Sequence, residues 1–251
     1  MKRDLYLKSP YLNSAGSLGY DPARYMRQPG ALALGAFITN PISLRPRAPA
    51  AHPAILDYSG GFLFHNGLPN PGLDSVLKHY TRKWRDSPLP VIVHLMADRP
   101  EETARMVRRL ETIENVMAIE LSFAPGLPAD LVRYTLEMAL GELPILLNLP
   151  TEQILALGPP MLQLGATALS LAAPRGALFQ NEELLSGRMF GPGLFPKTLE
   201  VVLAATRLGL VVIGATGIYS LENAQDLLRA GALAVQFDSI LWNPGFGFST
   251  P

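Results

Sequence analysis

Few side chains in this sequence could do chemistry, and none of them is a cysteine. Its absence excludes disulfides, thiolate metal sites and thiol nucleophiles together. The histidines are His52, His65, His79 and His94. No HxH, HExxH or His–carboxylate spacing joins them, so no metal site is expected. Glu120 stands out because it lies in the apolar run MAIELS, Met117 to Ser122, where a carboxylate is costly unless paired. Two readings stay open for it: a new acid or base, or, more plainly, an ion pair with an arginine such as Arg175 or Arg188. Arg45 and Arg47, in SLRPRAP, could bind an anion, although a solvated loop accounts for them equally simply. Lys197 follows FGPGLFP and precedes a helical stretch whose N-terminus could face an anion. No catalytic role is assigned to it.

Charge and composition narrow the partners. The 21 Lys plus Arg balance 21 Asp plus Glu, so neither nucleic acid nor an anionic membrane surface is an expected partner. With 48% apolar and 17% charged residues, the chain reads as globular with a large core. The opening MKRDLYLKSP lacks the apolar segment of a secretory signal, and a cytoplasmic address is expected. The longest uncharged stretch, Gln153 to Pro174, is interrupted by Gly158, Pro159 and Pro160 and does not read as a membrane span. Prolines are spread throughout and mark no linker, so one domain over residues 1–251 is expected.

The elements that must position these residues are short apolar runs between helical stretches. The runs are Pro10 to Asn13, Leu34 to Thr39, Val91 to Leu95, Met117 to Ser122, Pro144 to Leu149, Ala166 to Leu171, Gly209 to Gly214 and Ala234 to Asp238. Helices are predicted over Arg99 to Ile113 and over Leu221 to Ala230, the latter with Ser220 as N-cap and Gly231 as stop. Alternating strands and helices imply βαβ units and a parallel sheet, and this number of them a closed (β/α)₈ TIM barrel. The rival is an open doubly wound sheet, but no Gly-rich fingerprint follows the first strand. In a barrel, the residues to interrogate lie at the C-terminal ends of the strands.

Several segments together resemble the dihydroorotate dehydrogenase family of FMN-dependent barrels. They are Asn13-Ser14-Ala15-Gly16, Gly35-Ala36-Phe37-Ile38-Thr39, Asn66-Gly67-Leu68-Pro69-Asn70-Pro71-Gly72, and Val212 to Leu241 with GATGI followed by LLRAGALAVQ. The resemblance implies FMN at the barrel mouth and oxidation of dihydroorotate to orotate in pyrimidine biosynthesis, with a Cys or Ser as base. It also implies a lysine after the second strand, where Asn40 stands, and a base after the fourth, where Phe123 stands. A phenyl ring cannot take a proton. The family's asparagine on the fourth strand falls on Glu120, while Ser122 matches its structural serine. The flavin lysine of the fifth strand falls on Asn148, which removes the positive charge that favours an anionic reduced flavin. A Gly-Gly phosphate loop is half retained as Thr216-Gly217. Where a Gly-Thr or Gly-Ser pair is expected, the sequence has Asp238-Ser239, whose acid opposes a phosphate.

Two expectations follow from this comparison. The first is a dihydroorotate dehydrogenase-like pseudoenzyme without catalytic residues, bound to no cofactor and kept as a binding or structural subunit with a protein partner or as a homo-oligomer. The second is an FMN oxidoreductase acting on CH–CH groups, with Glu120 as base and FMN held by Ala15, Gly16, Thr39, Asn40, Asn148, Thr216, Gly217 and Ser239. The loop after Phe123 is short for the family, and the chain runs only a short way past the eighth strand. A shortened lid and a missing closing helix are therefore expected. Phe246 and Phe248, in the tail NPGFGFSTP, read as a docking peptide or a frayed end.

Overall fold

A computed structural model describes residues 4–28 and 30–242 of the chain. Phe246 and Phe248 lie outside them. The elements run β1 (Tyr11–Asn13), α1 (Pro22–Met26), β2 (Phe37–Ile38), β3 (Ala54–Tyr58), β4 (Gly61–His65), α2 (Leu73–Arg85), β5 (Val91–Met96), α3 (Pro100–Leu110), β6 (Val116–Ser122) and α4 (Ala129–Ala139). They continue with β7 (Ile145–Pro150), α5 (Ile154–Leu164), β8 (Ala168–Ala172), β9 (Arg175–Gln180), β10 (Glu183–Phe190), α6 (Phe195–Arg207), β11 (Val212–Ala215), α7 (Leu221–Arg229) and β12 (Ala234–Phe237).

Eight strands pair in the order β1-β12-β11-β8-β7-β6-β5-β2, all parallel. A bridge from Leu12 to Ala36 brings the two ends together, closing the TIM barrel. The short β2 leaves this seam poor in backbone bonds, and Asn13 makes up part of the deficit. Its side chain donates to the Ile38 carbonyl at 2.7 Å and accepts from the Ile38 amide at 2.8 Å.

Alternation along each strand sends one set of side chains inward and the other toward the helices. The inward floor mixes large and small apolar groups, Leu12, Ile38, Ile92, Leu146 and Ile213 among Ala36, Ala118, Ala168 and Ala234. The outward set, with Val91, Val93, Leu95, Ile119, Leu121 and Leu147, forms the larger core against the helices. The floor is apolar; the next inward layer toward the mouth is polar.

Ser220 caps α7 as its sequence position predicts, accepting from the Asn223 amide at 3.1 Å. Helix α5 continues through Pro159 and Pro160, where the sequence suggested an interruption. It packs closely: a Cβ on Gly158 would lie 2.6 Å from the Leu169 side chain, so glycine lets the helix rest directly on β8. No helix among the described residues is long and apolar enough to cross a membrane.

The barrel strands were legible as apolar runs, but a second sheet was not. Strands β3, β4, β10 and β9 form an antiparallel cap in that order. The Gly67–Gly72 loop is stapled to the segment after β2 by Asn70, whose side-chain oxygen accepts from the Ser43 amide at 3.1 Å, the Ser43 hydroxyl at 3.0 Å and the Gly72 amide at 3.1 Å.

Candidate functional site

The C-terminal ends of the barrel strands carry a buried polar network centred on Glu120. His94 and Glu120 stand level on β5 and β6, and Ser122, Asn148 and Ser170 follow on neighbouring rungs across β6, β7 and β8. The His94 Nδ1 lies 2.6 Å from one Glu120 carboxylate oxygen. Ser170 and Gln236 each donate to the other oxygen at 2.7 Å. The His94 Nε2 lies 2.8 Å from the Ser122 hydroxyl oxygen, and Asn148 donates to the Ser170 hydroxyl at 3.0 Å. Thr39 anchors the ring's own backbone by accepting from the His94 amide at 3.0 Å.

Glu120 is fully buried. Burial alone would raise its pKa, but the hydrogen bond and charge of His94, with the bonds from Ser170 and Gln236, outweigh this and hold it below the ordinary carboxylate value. The arginine partner expected for it is not the one found. Arg175 lies on the exposed β9, and Arg188 turns toward Gly16 and the rings of Phe64 and Phe190. A histidine on the adjacent strand satisfies the carboxylate instead.

At the opposite side of the mouth, Asp238 follows β12. Its carboxylate accepts from the Ser239 hydroxyl at 3.1 Å, and the backbone amides of Ser239, Gly217 and Ile240 lie close enough to favour its charge. The second carboxylate oxygen is buried without a hydrogen-bond partner. Burial is the largest influence and pushes the pKa up to about 6.

The Thr216–Gly217 turn that supplies one of these amides is left-handed at both residues, φ 75° and 74°. Gly217 is required because a Cβ there would lie 2.4 Å from the Phe195 amide nitrogen. Thr216 pays a conformational penalty of about 1–3 kcal/mol for a β-branched residue in this region. Its hydroxyl meets that of Thr198 at 2.9 Å.

Above Asp238 the cap closes over the mouth. Phe62, Phe64 and Phe190 pack against one side of Trp242, with ring centroids 6.1, 6.3 and 6.4 Å from it, and the half-exposed Trp242 donates to the Ser17 carbonyl at 2.8 Å. Arg188 lies over Phe64 and Phe190 at 5.8 and 5.6 Å from the ring centroids. Burial and the neighbouring Arg175 pull its pKa down to about 10. The space left among Ser14, Ala15, Gly16, Arg188, Asp238 and Trp242 is about 10 Å³. That is room for about one water molecule.

The residues singled out in the sequence divide between these two sides. Ala15, Gly16 and Ser239 line the closed cavity. Ser239 is also bonded to the Tyr219 hydroxyl at 2.5 Å. Asn40 is partly exposed and accepts from the Gly19 amide at 2.9 Å, and Asn148 is partly exposed in the network. Phe123 packs against the outer core.

The remaining candidates have structural partners. Arg47 donates to the Gly67 carbonyl at 2.6 Å, Arg45 lies 3.9 Å from Glu102, and Lys197 pairs with Glu200 at 3.0 Å. His65 and His79 bond backbone carbonyls at 2.8 and 2.7 Å. No group of three metal-ligating side chains occurs among the described residues.

Sequence reasoning missed three members of the network, His94, Ser170 and Gln236, as partners of Glu120; the histidine is the most telling. The signal was available in two apolar runs, VIVHL and MAIELS, each with one polar residue deep inside. Only the pairing of β5 with β6 makes them neighbours.

A family model described as dihydroorotate dehydrogenase matches residues 3–133. The dihydroorotate dehydrogenase B (NAD(+)), catalytic subunit, of Trichlorobacter lovleyi is 28% identical over 254 residues, covering 92% of this chain and 83% of that protein. Its namesake from Desulforudis audaxviator is 28% identical over 268 residues, with 96% and 86% covered. That from Pyrococcus furiosus is 27% identical over 259 residues, with 95% and 85% covered.

Proposed function

The chain belongs to the dihydroorotate dehydrogenase family, and from that premise we propose that it is a flavin-free member that does not oxidise dihydroorotate. On this reading it serves by binding, as a subunit with a protein partner or a second copy of itself. The observation that carries the reading is Asp238. Its buried carboxylate accepts from the Ser239 hydroxyl and lies among the backbone amides of Gly217, Ser239 and Ile240, the segment where the family resemblance places the FMN phosphate. An acid in that position repels a phosphate by roughly 4 kcal/mol for each pair of unit charges about 4 Å apart in a partly solvated site.

The residues present do not fit the rest of the cofactor either. The space beside Asp238, where the phosphate would sit, is only about 10 Å³. Asn40 and Asn148 stand where the resemblance expects two lysines, and Phe123 where it expects a base. Glu120 does not replace that base, because it is fully buried and both its oxygens are engaged.

A binding role is supported by the outer face of the cap. Phe179 and Leu184 face each other across β9 and β10 and are 75% and 57% exposed. Such a pair offers a partner an apolar contact point. Relatives whose name is that of a catalytic subunit are also consistent with a chain built to assemble.

The test is an anaerobic assay of the purified protein with dihydroorotate, added FMN and an artificial electron acceptor. No acceptor reduction above the protein-free blank is expected. Turnover that saturates with dihydroorotate would overturn the reading.

A further inference from the structure

The cap closes one side of the mouth and leaves the other accessible. Ser122, Asn148, Asn40 and Ala172, at the ends of β6, β7, β2 and β8, all keep partial exposure. On this side the Ser122 hydroxyl joins a chain of hydrogen bonds to His94 and Glu120, with a second, longer contact to the Leu95 carbonyl at 3.4 Å. The hydroxyl oxygen lies 2.8 Å from His94 Nε2, and His94 Nδ1 lies 2.6 Å from Glu120. An ionised carboxylate can only accept, so in the neutral imidazole Nδ1 carries the proton and Nε2 accepts from Ser122.

The base is fixed in turn. Glu120 is fully buried and held by Ser170 and Gln236, and the His94 backbone is bonded to Thr39. A hydroxyl, a base within hydrogen-bond reach and a buried acid orienting that base make up the constellation that activates a serine nucleophile, whatever fold carries it.

We propose that Ser122, His94 and Glu120 form a serine nucleophile site in the barrel mouth, able to accept an acyl group from a small ester or thioester. As the Ser122 oxygen bonds to the acyl carbon, its proton passes to His94 Nε2. The bond from acyl carbon to the leaving oxygen or sulfur breaks, and the leaving group takes that proton from Nε2. Water then repeats the sequence, with its proton held by His94 and returned to Ser122, releasing a carboxylic acid.

Asn148 stands beside Ser122 in the parallel register and commits one amide hydrogen to Ser170. Its second hydrogen is available to the oxyanion. The merely partial exposure of Ser122 limits the substrate to a compact acyl group.

This goes beyond the flavin-free reading and does not depend on it, since acyl transfer needs no cofactor and flavin retention is measured separately. The test treats folded wild-type protein with diisopropyl fluorophosphate and locates the adduct by peptide mass spectrometry. One diisopropylphosphoryl group on Ser122 is expected, together with a stoichiometric burst of p-nitrophenolate from p-nitrophenyl acetate.

Ser122→Ala, which leaves the His94–Glu120 pair in place, should abolish both signals while melting as a folded protein. His94→Asn should slow labelling of Ser122 by at least about a hundredfold. Absence of an adduct on folded wild type would overturn the proposal. So would an adduct confined to another serine, or labelling of Ser122 at an unchanged rate in His94→Asn.

Discussion

The two acids of the mouth are buried to nearly the same extent, yet burial acts differently on them. Glu120 has donors for both oxygens and stays ionised, whereas Asp238 has one buried oxygen without a partner, and its pKa rises from 3.8 to about 6. Below the lower value both folded and unfolded chains carry the proton, so Asp238 costs nothing. Between the two values the unfolded chain has released the proton and the folded chain has not, so stability falls as pH rises, levelling off above about 6. Asn cannot ionise. Asp238→Asn should therefore match wild type in stability near pH 3 and exceed it by about 3 kcal/mol near pH 7. Urea unfolding across that range measures the difference, and a gap independent of pH would refute the assignment. Glu120 could be recognised in the sequence as an anomaly because a carboxylate amid apolar residues must be paired. Its partner could not, for two physical reasons. A strong cation is the obvious mate, and the register of β5 against β6 shifts between Val91 and Ile92, so counting from the strand starts does not place His94 level with Glu120.

Among the elements, the eight barrel strands were legible because a parallel strand covered on both faces must be apolar throughout. The cap strands were not. β3 and β9 alternate between exposed and half-covered positions, and β10 joins β4 across a long stretch of chain, with Arg188 level with Phe64. The β9–β10 turn hides as well. Asn181 and Glu182 both have positive φ, 47° and 68°, as a two-residue hairpin turn of this type requires, but Glu182 stands where glycine would give the usual signal. This hairpin carries the exposed Phe179 and Leu184. Replacing both with serine should leave the melting temperature within about a degree or two, since exposed positions contribute little to folding. Light scattering and pull-down are expected to show concentration-dependent association of wild type, with self or with partner, and its loss in this variant. Association that persists unchanged would move the binding surface elsewhere.

At the scale of the whole molecule, equal numbers of acids and bases conceal an uneven mouth. Its cap side is closed by Asp238, Trp242, three phenylalanines and Arg188, and its β6–β7 side keeps a partly exposed serine and asparagine above a buried acid and histidine. The barrel could be read from the sequence, as could an acid, Asp238, just after the last barrel strand. The closing of the mouth could not, because Phe62, Phe64, Phe190 and Trp242 converge from separate elements and share no local pattern. The flavin-free reading rests on that convergence and on Asp238. It is tested most directly by incubating the purified protein with excess FMN, desalting it and recording its visible absorbance spectrum. The account predicts a colourless protein with no flavin band. A band stoichiometric with protein would contradict it.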